Sequence, residues 1–146
     1  MLCIPFLPFL FQFSKNLSSH PDVKDSSNTK QSLDPSLSDE FLICRQCRMI
    51  ITIPQARITI QGSSEHTFAN PHGIVFEIDC YAIAPGCIHI GKPTSEFTWF
   101  NGYMWVAAIC RQCSIHLGWH FIPMDNSQHF YALIHDRLLR VRKEDL

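Results

Sequence analysis

Two tetrapeptides of this chain, Cys44-Arg45-Gln46-Cys47 and Cys110-Arg111-Gln112-Cys113, are identical at all four positions. A two-residue spacer lets one tight turn present two sulfurs to the same ion, and zinc takes four thiolates tetrahedrally. One structural zinc ion on Cys44, Cys47, Cys110 and Cys113 is therefore expected. A redox Cys-x-x-Cys of the thioredoxin kind and a pair of disulfides are the competing readings, although a redox fold needs only one such pair. The 62 residues between Cys47 and Cys110 far exceed the spacer of a zinc ribbon. The ion would thus clasp the two ends of a whole sheet domain and contribute directly to its folding.

All three tryptophans, Trp99, Trp105 and Trp119, fall within 21 residues, with Cys110 and Cys113 between the second and third. Alternation along Ile115-His116-Leu117-Gly118-Trp119-His120-Phe121 turns Trp119 and Phe121 to one side of a strand. Trp99 is harder to place. A two-residue turn at Asn101-Gly102 would send Trp99 and Trp105 to opposite faces, whereas a five-residue loop would set them opposite one another. An aromatic pocket and a set of three core indoles are both open readings of the cluster.

Short apolar runs must carry these residues. Met49–Ile53, Arg57–Ile60, Ile74–Ile78 and Tyr81–Ala84 are strand-like, punctuated at Pro54, Gly62, Asn70-Pro71, Gly73, Pro85-Gly86 and Asn101-Gly102, which predicts an antiparallel all-β domain. Only residues 134–143 suggest a short helix. With 146 residues, 46% of them hydrophobic, and a net charge of -1, the chain fits one globular domain plus tails. A broad nucleic-acid surface would need a cationic excess that this charge excludes.

The ends carry targeting features. Residues 1–13 are almost wholly apolar, too short for a membrane span and of the length of a signal-peptide core, though without a basic start. A signal peptide over 1–19 and a buried or disordered apolar arm are the two readings. Residues 20–40 read as a polar, disordered linker, and Asn16-Leu17-Ser18 is a glycosylation sequon. Lys143-Glu144-Asp145-Leu146 is similar to a retention signal of the endoplasmic reticulum within a charged tail, 140–146. Together these features point to the endoplasmic reticulum lumen or secretion, with a cytoplasmic site as the alternative. In an oxidising lumen Cys80 and Cys87 could pair across Pro85-Gly86, or stand as two unrelated buried thiols.

Asn70-Pro71-His72-Gly73, Gly91-Lys92-Pro93, Glu96–Trp105, Cys110-x-x-Cys113 and His116–Phe121, in that order, resemble the CULT, or thalidomide-binding, domain known from cereblon. The likeness runs from about Phe41 to His135, and the domain is expected over 41–139. It implies a β-tent, two antiparallel sheets joined at the four-cysteine zinc site. It also implies a cage in which Trp99, Trp105 and Trp119 are walls and Phe121 the floor, for glutarimide-type cyclic imides or modified protein ends. Main-chain groups of Phe97 and Trp99 would bond the imide, and Asn70 and Pro71 would border it. Position 97 is commonly His in that family and is Phe here. The family's ligase-adaptor docking segment has no counterpart in these residues, so no ubiquitin-ligase adaptor is expected to bind through this chain.

Two other functions compete with a binding module. Methionine sulfoxide reductase B shares the implied fold and two zinc knuckles, but its chemistry needs a nucleophilic cysteine after the second pair, and none follows Cys113. No catalytic residue is therefore expected. An aromatic cage also suits quaternary ammonium ligands, whose charge is drawn to indole faces.

Overall fold

The computed structural model describes residues 33–146. The apolar start and most of the expected linker lie outside the described residues.

Among the described residues nine strands form two antiparallel sheets. The smaller one has β1 (Glu40–Cys44) between β2 (Ile50–Thr52) and β9 (Leu138–Arg142). The larger is built from β3 (Glu65–Ala69), β4 (Val75–Tyr81), β5 (Cys87–Thr94), β6 (Tyr103–Cys110), β7 (His116–Pro123) and β8 (Phe130–Ile134). Its spatial order is β3-β4-β8-β7-β6-β5. Among the described residues no helix is long and apolar enough to cross a membrane. The expected antiparallel all-β domain is thus observed.

Several local expectations are corrected. Instead of a helix over 134–143, His135–Arg137 makes one 3-10 turn and Leu138–Arg142 pairs with β1, Cys44 opposite Leu138 and Glu40 opposite Arg142. Leu138 is buried while Arg140 and Arg142 face outward, and β1 offers main-chain partners that outweigh local periodicity. The domain consequently extends past 41 and 139. Ser38 is buried, and the segment read as a charged tail begins as sheet. Arg57–Ile60 is held only by isolated bridges, Arg57 to Tyr81 and Ile60 to Ser63.

The large sheet has two differently used faces, separated by strand alternation. Tyr81, Cys87, Ala108, Cys110 and Leu133 point toward one core, shared with Phe41, Ile43, Ile51 and Ile53 from the small sheet. On the opposite face Ile78, Cys80, Phe121, Phe130 and Ala132 make a second core around the fully buried Phe100. Cys80 and Cys87 fall in these different cores and are both free thiols.

Two glycines allow backbones to meet. A Cβ on Gly86 would lie 2.1 Å from the Ile50 carbonyl oxygen, so the bare turn docks on the small sheet, its N–H donating to Ile51. Gly118 follows the irregularity between Ala108 and Ile109, has φ 151°, and its Cβ would sit 2.1 Å from the Ala132 oxygen. Such a β-bulge re-aims the side chains beyond it, here Trp119. Gly118→Ala is therefore expected to cost about 3 kcal/mol in a urea titration. An unchanged midpoint would show that the bulge relaxes freely.

Candidate functional site

Each Cys-Arg-Gln-Cys segment is the turn of a hairpin. Cys44 and Cys110 end β1 and β6, and the two turns close alike. Arg48 N–H donates to Cys44 O (2.8 Å) and Ser114 N–H to Cys110 O (2.9 Å), while Cys44 and Cys110 donate to Met49 and Ile115. Arg48 and Ser114 take the same left-handed conformation, φ 65° and 63°. The Gln112 amide joins the knuckles by donating to Cys47 O.

The sulfurs converge across the knuckles. Cys44 Sγ stands 3.7 Å from Cys113 Sγ, and Cys47 Sγ 3.5 Å from Cys110 Sγ. All four lie within 4.8 Å of one another. Two thiolates at about 2.3 Å from one tetrahedral ion are separated by about 3.8 Å, so the set fits a single metal ion and leaves no open coordination position. The Ile115 N–H favours the Cys113 thiolate and holds that thiol below its ordinary range, whereas burial raises Cys44. Cys80 and Cys87 are different: burial pushes each up to about 12, which makes them inert core thiols.

On the opposite face of the large sheet lies a cavity of about 630 Å³. All seven residues expected at the ligand site, Asn70, Pro71, Phe97, Trp99, Trp105, Trp119 and Phe121, line it. Trp105 is paired with Phe121 across β6 and β7, and Trp119 with Ala107, so register alone sets these side chains on one face. Phe121 is 1% exposed and stacks on Phe130, a rigid floor. Trp99 arrives by neither hairpin anticipated. Thr94 pairs with Trp105, and Trp99 hangs in the connection 95–102, its indole meeting Trp119 edge to face at 4.6 Å and 71°.

The walls are fixed from behind and at their rims. Trp99 Nε1 donates to Ala69 O (3.1 Å) and Trp105 Nε1 to Glu96 O (2.9 Å). Phe68 stacks on Trp99 at 5.2 Å, and Phe76 meets both Trp99 and Trp119. His116 stands edge-on to Trp119 at 4.8 Å, with Nε2 against Gly118 O, and burial holds its basicity below normal. The Asn70 Oδ1 accepts from the N–H groups of His72 and Ile74, so Asn70 shapes the bordering loop. Phe97 is 73% exposed with φ 54°. Its main-chain N–H and C=O take no partner among the described residues.

His72, Thr94 and Glu96 also line the cavity and were not singled out as ligand residues. His72 adjoins Pro71 and Glu96 adjoins Phe97, a signal available in the sequence, whereas Thr94 reaches the cavity through its pairing with Trp105 across β5 and β6. Phe68 and Phe76, which oppose one another across β3 and β4, carried no comparable sign.

No family model matches the chain. Curated relatives do. Protein cereblon of Drosophila melanogaster is 31% identical over 104 residues, covering 68% of this chain and 18% of the relative. Protein cereblon of Drosophila grimshawi is 32% identical over 108 residues, 70% and 16%, and that of Danio rerio 36% identical over 83 residues, 55% and 19%. The chain spans less than a fifth of the length of these relatives. With the two antiparallel sheets, the converging cysteines and the tryptophan-walled cavity, this similarity identifies the described residues as a cereblon-like CULT domain.

Proposed function

We propose that the domain is a zinc-stabilised binding module, not an enzyme, whose tryptophan cage takes cyclic imides of the glutarimide kind or protein ends bearing such a ring. The observation that carries this reading is the gathering of Trp99, Trp105, Trp119 and Phe121 around one cavity. Its volume is that of a small-molecule site. Indole faces bury the methylenes of a ring. The unpaired main-chain groups of Phe97 supply one donor and one acceptor for an imide, which needs both. Among the described residues no cysteine lines the cavity, and burial raises the pKa of Cys80 and Cys87, which disfavours a sulfoxide reductase's thiolate nucleophile there.

Glu96 at the cavity favours a second ligand class, quaternary ammonium ions, which cation–π attraction would hold at about 0.5–2 kcal/mol per ring. Tryptophan fluorescence separates the two when glutarimide and betaine are titrated in parallel. Glutarimide has about eight heavy atoms, and at roughly 1 kcal/mol per atom its binding reaches about the micromolar range. Saturable quenching by glutarimide alone is expected, abolished by Trp119→Ala and strengthened by Phe97→His. Absence of quenching at millimolar imide in folded protein would overturn the reading, and saturation by betaine alone would replace it with the second.

Zinc suits a closed four-thiolate set. Elemental analysis is expected to find one zinc per chain. Cys47→Ser, which leaves three thiolates around the ion, should lose the metal and unfold most of the domain. A variant that melts at the wild-type temperature would remove the metal from its structural role.

A further inference from the structure

Away from the cavity, the cysteines and the ion pairs of Arg57, Glu65, Asp79 and His135, one cluster of titratable side chains lies on the far face of the same strands. His89 on β5, His120 on β7 and Tyr131 on β8 share that face, and His129 adjoins it from the preceding loop. The row from His89 crosses Ala108 and Gly118. These small residues let the His89 ring lie over β6 and stack on His120, centroids 4.4 Å apart at 9°. His120 also stacks on its cross-strand partner Tyr131 at 4.6 Å. His89 Nε2 is 3.2 Å from the Tyr131 hydroxyl, and His120 Nε2 is 3.0 Å from His129 Nδ1. The imidazoles do not converge on an ion. Among the described residues only the four cysteines bring three or more metal-ligand atoms within 4.8 Å.

The hydrogen bonds fix where the protons are. His120 Nδ1 is buried and has no partner among the described residues. A proton there would be a buried donor without an acceptor, which costs about 1–3 kcal/mol. Neutral His120 therefore carries its hydrogen on Nε2 and donates it to His129 Nδ1. One more proton on His120 must go to Nδ1. Among the described residues no carboxylate is bonded to or stacked on His120. The groups facing His120 are His89 from β5, Tyr131 from β8 and His129 from the loop, and β6 opposes it with Val106. Stacking on the Tyr131 face would favour a cation by about 0.5–1 kcal/mol, less than the orphaned donor costs.

We propose that His89, His120, His129 and Tyr131 form an acid-sensitive latch, closed only while His89 and His120 are uncharged, that loosens the tryptophan-bearing strand β7 in mildly acidic surroundings. His120 lies between Trp119 and Phe121 in the chain. Opening the latch frees the strand that supplies one wall and the floor of the cage. Burial, then His89 and His129, hold His120 at about 4, and burial also lowers His89. A histidine depressed in this way favours the folded state above the free value of about 6.5, and that advantage is lost as pH falls from there toward 4. His135 acts in the opposite sense, raised by its bond to Asp79. Its contribution grows as pH falls through about 6.5 and levels off below, opposite in sign to the loss at His120 and common to wild type and variants.

The test is the urea midpoint of the zinc-loaded full chain at pH 7.5, 6.5, 5.5 and 5.0, with bound zinc assayed at each. After allowance for solvent access to a half-buried ring, the wild-type folding constant is expected to fall on the order of tenfold more than that of His120→Gln between pH 6.5 and 5. His89→Leu, which keeps the His120–His129 bond, should show an intermediate loss. Parallel pH profiles for the wild type and both variants overturn the proposal, as does a wild-type loss that only tracks zinc release. The consequence for the cage rests on the ligand reading above, and imide titration forms a separate arm. Weakening of the wild type by about tenfold at pH 5, absent in the variant, is the expected result. No imide binding at pH 7.5 refutes the cage, while the stability arm still decides the latch.

Discussion

Everything in this domain depends on two hairpin turns meeting at one point. The turn between β1 and β2 belongs to the small sheet and that between β6 and β7 to the large one. The four sulfurs are the place where their ends are brought together. A three-stranded sheet of such short strands is marginal alone. With Cys44 and Cys47 meeting the other knuckle, and packed on Tyr81, Ala108 and Leu133, it covers part of one face of the larger sheet. The same knuckle that receives it also fixes the start of β6–β7 pairing, and that register sets Trp105 opposite Phe121. The convergence of the cysteines and the geometry of the cavity are thus two outcomes of one hairpin.

How far the sequence disclosed this differs from residue to residue. The knuckles were legible because their chemistry is local: a spacer of two residues contains the whole turn. Trp119 and Phe121 were legible because strand alternation is local too. Trp99 was not, since its position comes from a long connection tied down by contacts with Ala69 and Phe68, residues some thirty positions earlier. The terminal strand β9 was hidden for a similar reason. Leu138–Arg142 has no decisive pattern, and only the free edge of β1, nearly a hundred residues away, makes it a strand. Local rules identify groups that act within a turn, while groups that act across the fold need the fold.

The large sheet also shows how one strand can serve two environments. Along β7, Trp119 and Phe121 build the cavity side, and His120 between them enters the stack on the other side with His89 and Tyr131. Aromatic packing on the two faces therefore shares a backbone, and a disturbance of one face cannot leave the other untouched. The bulge at Gly118 sits just before this stretch, the point at which the strand's direction is most open to adjustment.

The rims of Trp99 and Trp105 add one more consequence. Both indole N–H groups are already given to carbonyls of the loops that frame the cavity. Those indoles can offer an occupant only their π faces, and their hydrogen-bonding capacity is used to hold the mouth in shape. The main-chain groups of Phe97, whose side chain points mostly into solvent, stand at the same rim beside Thr94 and Glu96. On the ligand reading proposed above, the edge of a guest would be met by main-chain atoms, which stay in place when the exposed side chain at position 97 is changed.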